Sequence, residues 1–237
     1  SAQGRSRRNT AALAVAMSAF FVGLCLSAAP ANAACVPDPA SSGQTVTCSG
    51  NTPGGFQAGG GVDTLTVNVL PGATVSDGGS GVIIGVNDFN TVTNSGTLTA
   101  GPSTGIFAGV NNTIVNTASG VITVGTNGMG IFAAGNSTIT NAGQITIGNA
   151  AGPLAAIIAI NDDNTVSNLA GATITVGLNA DGILMQGNRA IVNNAGTINA
   201  SAAGIDVFGD DALITSNGVI NVADNGAGIS TQGDRAL

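Results

Sequence analysis

Apolar and polar side chains alternate with a period of two in short runs along most of this chain. Ile122 and Val124 alternate with Val121 and Thr123, and Ile145 and Ile147 with Gln144 and Thr146. Alternation among β-branched residues is the pattern of a half-buried strand. No helical period of 3.6 residues is found after residue 33.

The runs recur in blocks of 22 to 26 residues starting at Gly81, Gly105, Gly130, Ala156, Gly182, Gly204 and Gly228. The position after each start is β-branched throughout: Val82, Ile106, Ile131, Ile157, Ile183, Ile205 and Ile229. Eleven to thirteen residues after each start stand Asn94, Asn116, Asn141, Asn168 and Asn193, with Ser216 in the sixth block. Two places before them lie Val92, Ile114, Ile139, Val166, Ile191 and Ile214. A glycine follows each time, then a third apolar run marked by Leu98, Ile122, Ile145, Ile174, Ile198 and Ile220. Each block therefore reads as three short strands with turns between.

Three strands in a period of this length predict an all-β fold, a right-handed parallel β-helix of about eight coils in which each block is one coil. Columns in sequence then become ladders in space, about 4.8 Å apart along the axis. The Asn column has a physical reason, because stacked amides hydrogen-bond to one another at an inward corner. Thr99, Thr123, Thr146 and Thr175, continued by Asn199 and Asn221, predict an outward polar ladder. A β-sandwich would explain the strands but not the columns, and a leucine-rich repeat would need regular Leu. Asp63 to Ser80 reads as a degenerate first coil, after a capping segment over 34–62.

Composition adds a compartment. Arg5, Arg7 and Arg8 precede an apolar run from Ala11 to Ala29 and the triplet Ala31, Asn32, Ala33. This is the order of a secretory signal, so the expectation is a signal helix over 1–33 cleaved after Ala33. What remains carries two Arg against twelve Asp, a formal charge of −10, which suits neither phosphate backbones nor anionic lipid. No nucleic-acid partner is expected. Of the three cysteines, Cys25 leaves with the signal, and Cys35 and Cys48 form the pair expected to bridge in an exported chain.

Chemistry is sparse. There is no His, so Ser–His–Asp triads and the usual metal ligand sets fail, and neither a metal nor a cofactor is expected. Asp88, Asp162 with Asp163, and Asp210 with Asp211 are the candidate carboxylates for glycan cleavage. They follow the first strand of their blocks, where other blocks carry Asn112, Asn136, Asn188 and Asp234, which is a turn column. Arg189 is the one mid-chain cation, with no acid in its own block's turn. Ala58 to Thr66 (AGGGVDTLT) is one imperfect copy of the calcium-binding nonapeptide, with Asp63 as the ligand; such sites need consecutive copies. Ile83, Phe107, Phe132, Ile158 and Leu184 read as an outward apolar stripe, ending in Asp206 and Ser230. Such a stripe is either a docking edge for another chain, or it sits at a bend facing the core or under a neighbouring loop.

The segment Thr45 to Val67 (TVTCSGNTPGGFQAGGGVDTLTV), followed by blocks of the form G-I-x-x-x-x-N-x-T-I-x-N-x-G-x-I-T-V, resembles the N-terminal passenger region of bacterial autotransporters. The resemblance implies Sec-dependent export, a passenger on the surface of a Gram-negative cell or released from it, and a C-terminal outer-membrane β-barrel as translocator. It also implies an adhesive or structural role toward a protein or glycan ligand. The chain starts at Ser1 and stops at Leu237 within a block, without barrel strands, so a longer gene product is expected. The alternative is a polysaccharide-acting β-helix enzyme of the pectin-lyase type using its Asp residues.

Overall fold

The computed structural model describes residues 34–77 and 81–237. The predicted signal helix, its cleavage triplet and Cys25 lie outside the described residues. Over the rest the chain is an all-β parallel solenoid of eight coils, each contributing one strand to each of three sheets. The fifth coil, for example, consists of Thr138–Asn141, Gln144–Ile147 and Leu154–Ile160.

The coils stack because the strands have nowhere else to satisfy their backbones. Thr138–Asn141 pairs with Thr113–Asn116 below it and with Thr165–Asn168 above it, both parallel and without offset. Inward positions in the first sheet are Val46, Val67, Val92, Ile114, Ile139, Val166 and Val192, all fully buried. The second sheet supplies Val75, Leu98, Ile122, Ile145, Ile174 and Ile198, and the third supplies Phe56, Ile84, Ile106, Ile131, Ile157, Ile183 and Ile205. Burying a branched aliphatic side chain contributes about 1.5–3 kcal/mol, so three such residues per coil are the main gain from adding one.

Stacking begins earlier than residue 63. Thr45–Cys48, Asn51–Thr52 and Phe56–Gln57 form the first coil, in register with Thr66–Val69, Thr74–Ser76 and Val82–Val86. The segment 34–62 is thus mostly a coil, and the cap is the two-residue strand Cys35–Val36. It pairs antiparallel with Thr45–Cys48, placing Cys35 opposite Cys48, and the two are disulfide-bonded.

The second coil corrects the β-branched column. Ile84, not Val82, pairs with Ile106, while Val82 pairs with Thr104. Ile83 then takes the corner place held by Gly105, Gly130, Ala156, Gly182 and Gly204 in later coils. That place points into the core: a Cβ on Gly130 would lie 2.5 Å from both the Ala156 carbonyl oxygen and Ile145 Cγ2. Ile83 sits below the coil that carries Leu98 instead of Ile in the second sheet, where no branch at Cβ competes for the space.

This corner generates a contrast. Gly130→Ala is expected to destabilise the fold by about 1–3 kcal/mol through overpacking. Gly101→Ala, where a Cβ meets nothing within 4 Å, is expected to leave the denaturant midpoint within error. Urea unfolding of the two variants side by side is the measurement.

Candidate functional site

The Asn column is a continuous buried ladder. Asn94 Nδ2 donates to Asn116 Oδ1 at 2.8 Å, Asn116 to Asn141 at 2.8 Å, Asn141 to Asn168 at 2.9 Å and Asn168 to Asn194 at 2.9 Å. Asn194 ends the run on Ser216 Oγ at 3.1 Å. Asn193 is therefore not a rung. It pairs with Ser167 and is exposed, whereas Asn194 pairs with Asn168 and is buried. A one-residue slip in a strand exchanges its two faces, and the doublet Asn193–Asn194 made both registers look alike. The same slip puts Val192 in the core and Ile191 outside.

The predicted turn column resolves into three adjacent columns. In the first, Asp63, Asp88, Asp162, Asn188 and Asp210 each accept the backbone N–H of the next coil, at 2.8–3.2 Å. Asp63 is thereby engaged with Asp88 N at 3.2 Å, and the AGGGVDTLT stretch acts as a turn into the second coil. In the second column the backbone is left-handed, at Phe89, Asn111, Asn136, Asp163, Arg189, Asp211 and Arg235, a conformation that, glycine aside, Asn and Asp tolerate best.

The third column holds Asn112, already read as a turn residue, together with Asn90, Ser137 and Asn164, which inspection of the sequence missed. Asn90 Oδ1 accepts from Leu65 N, Asn112 Oδ1 from Asn90 N, Ser137 Oγ from Asn112 N, and Asn164 Oδ1 from Ser137 N, at 2.7–3.1 Å. All four are buried. Their signal was the Asn or Ser directly before each first-sheet Thr.

Arg189 has no acid in its own block's turn, as the sequence indicates, yet it is paired across the stack. Its partners lie in the neighbouring coil's turn: Nε reaches Asp163 Oδ1 at 2.6 Å, and Nη2 reaches Asp163 Oδ2 at 2.7 Å and Asp162 Oδ2 at 3.1 Å. Arg235 repeats the arrangement on Asp211, at 2.5 and 2.8 Å. The left-handed column thus alternates in sign over four coils, Asp163, Arg189, Asp211, Arg235. Hydrogen bonding to its Arg holds each of Asp163 and Asp211 below the usual carboxylate range, and the same bonds raise both guanidinium values further. The pairs are solvent-exposed, where screening keeps such contributions small.

The apolar stripe lies on the outward face of the third sheet, with one correction. Gly85, not Ile83, pairs with Phe107, and Ile83 is buried in the core. Phe107 and Phe132 stack with ring centroids 5.0 Å apart and planes 3° from parallel. Phe107 is 42% exposed, while Ile158 and Leu184 are buried with Ala155 in a small cluster against Met129, Phe132, Leu154 and Ile160. At its end stands Asp181, paired with Ala155 and 7% exposed. Burial pushes its carboxyl up, the bond it accepts from Ala203 N at 2.8 Å offsets part of this, and Asp206 adds repulsion.

Two predictions follow from these columns. Asn141→Ala removes one rung and leaves Asn168 Oδ1 without its donor, at about 1–3 kcal/mol for a buried group, while Asn116 Nδ2 keeps the Gly120 and Gln144 carbonyls; Asn193→Ala should stay within about 0.5 kcal/mol, as surface changes do. Chemical denaturation separates them. For Asp181, a folded-state value raised above the unfolded one means its contribution is full below about pH 4 and is lost as pH rises through the folded value. Asp181→Asn keeps the acceptor for Ala203 N, so thermal melts should show it stabilising the protein at pH 7 and not at pH 3.

Among the described residues the surface holds no cavity and no cluster of metal-ligating side chains. No protein-family model, no curated protein and no solved structure matches the chain.

Proposed function

We propose that the chain is an exported structural and adhesive rod, the passenger region of an autotransporter-like protein. Its coils would wind right-handed, as crossovers between parallel strands do. The observation that carries this reading is that the candidate carboxylates and the buried amides are committed to the stack itself. The Asp residues that looked like candidate acids accept backbone N–H groups of the next coil or pair with Arg. A surface assembled this way presents uniform ladders and short turns to a partner. The basic start, apolar run and A-x-A triplet supply the route out of the cytoplasm, and a translocating β-barrel would be encoded beyond Leu237.

A second reading is favoured by one contact. Arg189 beside Asp162 and Asp163 is the acid–cation combination a polysaccharide lyase would use. Its guanidinium is held more firmly cationic than usual, which disfavours it as a proton-abstracting base. A glycan-cleavage screen in which activity disappears in Asp162→Asn and Asp210→Asn would establish the enzyme instead.

The test of the first reading is expression in a Gram-negative host from the gene with its downstream sequence. The mature protein is expected to begin at Ala34 by N-terminal sequencing and to be removed from intact cells by external protease. An uncleaved N-terminus with the protein retained inside the cell would overturn it.

A further inference from the structure

The outward face of the first sheet differs from the other two. In six successive coils the same outward place is Thr: Thr45, Thr66, Thr91, Thr113, Thr138 and Thr165, aligned strand to strand. Two residues along each strand a second column runs beside it, with Thr47, Thr93, Thr140, Ser167 and Thr215 as its hydroxyl members. No charged residue occupies either column in any of the eight coils. Among the described residues, none of the six hydroxyls of the first column bonds to the protein, although hydroxyls elsewhere do, such as Thr117 Oγ1 to Ser95 Oγ at 3.0 Å.

The other faces lack this combination. The second sheet is likewise uncharged and carries Ser76, Thr99, Thr123, Thr146 and Thr175 in its second column, but its first column is broken by Val121 and Gln144, and Thr175 Oγ1 is occupied by Asn199 Nδ2 at 3.3 Å. The third sheet presents the apolar cluster around Phe132 and Ile158.

A parallel sheet fixes such an array in two directions, about 4.8 Å between strands and about 6.6 Å between alternate residues. Threonine is stiff about χ1, so each place offers a methyl and a hydroxyl in nearly constant orientation. The unbonded hydroxyls must be satisfied by water, and those waters inherit the repeat of the sheet. Prism-type faces of hexagonal ice present rows of oxygen atoms with a short repeat close to the strand spacing and a longer one close to the two-residue spacing. From this correspondence we propose that the first sheet is an ice-binding face, its ligand being crystalline water. The methyl groups lie between the water rows and gain by leaving liquid water when the face meets the crystal. The absence of charge avoids stripping strongly hydrated groups on contact. This activity is independent of the rod's attachment to a cell and goes beyond that reading.

The experiment is partition of the purified chain into slowly growing ice, together with the shape of single ice crystals grown in its presence. The unaltered chain is expected to be enriched in the ice fraction over a non-binding protein of similar size, and to facet the crystals. Thr91→Lys with Thr138→Lys should fall to the level of that control, while Thr97→Lys with Thr173→Lys on the second sheet should partition like the unaltered chain. Circular dichroism reports whether each variant is folded; if the first pair is not, Thr91→Gln with Thr138→Gln replaces it and the same comparison is made. No enrichment of the unaltered chain, or equal loss from both faces, would overturn the proposal.

Discussion

A parallel strand satisfies its backbone only through the strands on either side, and here those are the coils before and after it in the chain. Every other feature answers to that constraint. Because strand Thr113–Asn116 lies without offset on Thr91–Asn94 and under Thr138–Asn141, each inward side chain meets its own equivalent. A residue that does not fit its place disturbs two interfaces, the one below and the one above. The corner glycines show the limit: at Gly130 a single added carbon meets both the next coil's backbone and Ile145.

The polar residues of the interior follow the same rule. A buried amide in an apolar core is costly when unpaired, yet five Asn side chains lie inside the stack because each donates to the next and accepts from the one before. The run starts above Val69 and Cys48, which hold the same place in the first two coils; there Asn94 Oδ1 takes the backbone N–H of Gly96 at 3.3 Å instead. The Asn90–Asn112–Ser137–Asn164 column works in the opposite sense, closing backbone donors of the coil below. Both columns penalise a coil that slips by one residue, since slippage would bring a buried amide to the surface and an outward residue into the core. They specify register more than they add stability.

This logic determined what could be read from the residues alone. Period, strand type and the identity of most core positions were legible, because burial repeats them coil after coil. The failures fall where two neighbouring residues were chemically alike. Val82, Ile83 and Ile84 are all apolar and β-branched, so only pairing identifies which one meets Ile106. Asn193 and Asn194 posed the same choice for the amide ladder. The first coil was missed because Asn51–Thr52 and Phe56–Gln57 are too short to show alternation. Arg189 had no acid near it in sequence because its partners stand 26 and 27 residues earlier and one coil away in space. Which face the apolar stripe takes was left open between a docking edge and the core, and its extent depended on Gly85 standing where Ile83 was read.

The central claim is that equivalent side chains of successive coils touch in one register, and nuclear Overhauser contacts between side-chain amides test it most directly. In a sample with assigned Asn side chains, the account predicts an unbroken chain of cross-peaks linking the amide groups of Asn94, Asn116, Asn141, Asn168 and Asn194, with the Asn193 amide outside it and in exchange with solvent. Cross-peaks joining Asn168 to Asn193 instead, or the absence of contact between Asn116 and Asn141, would contradict it.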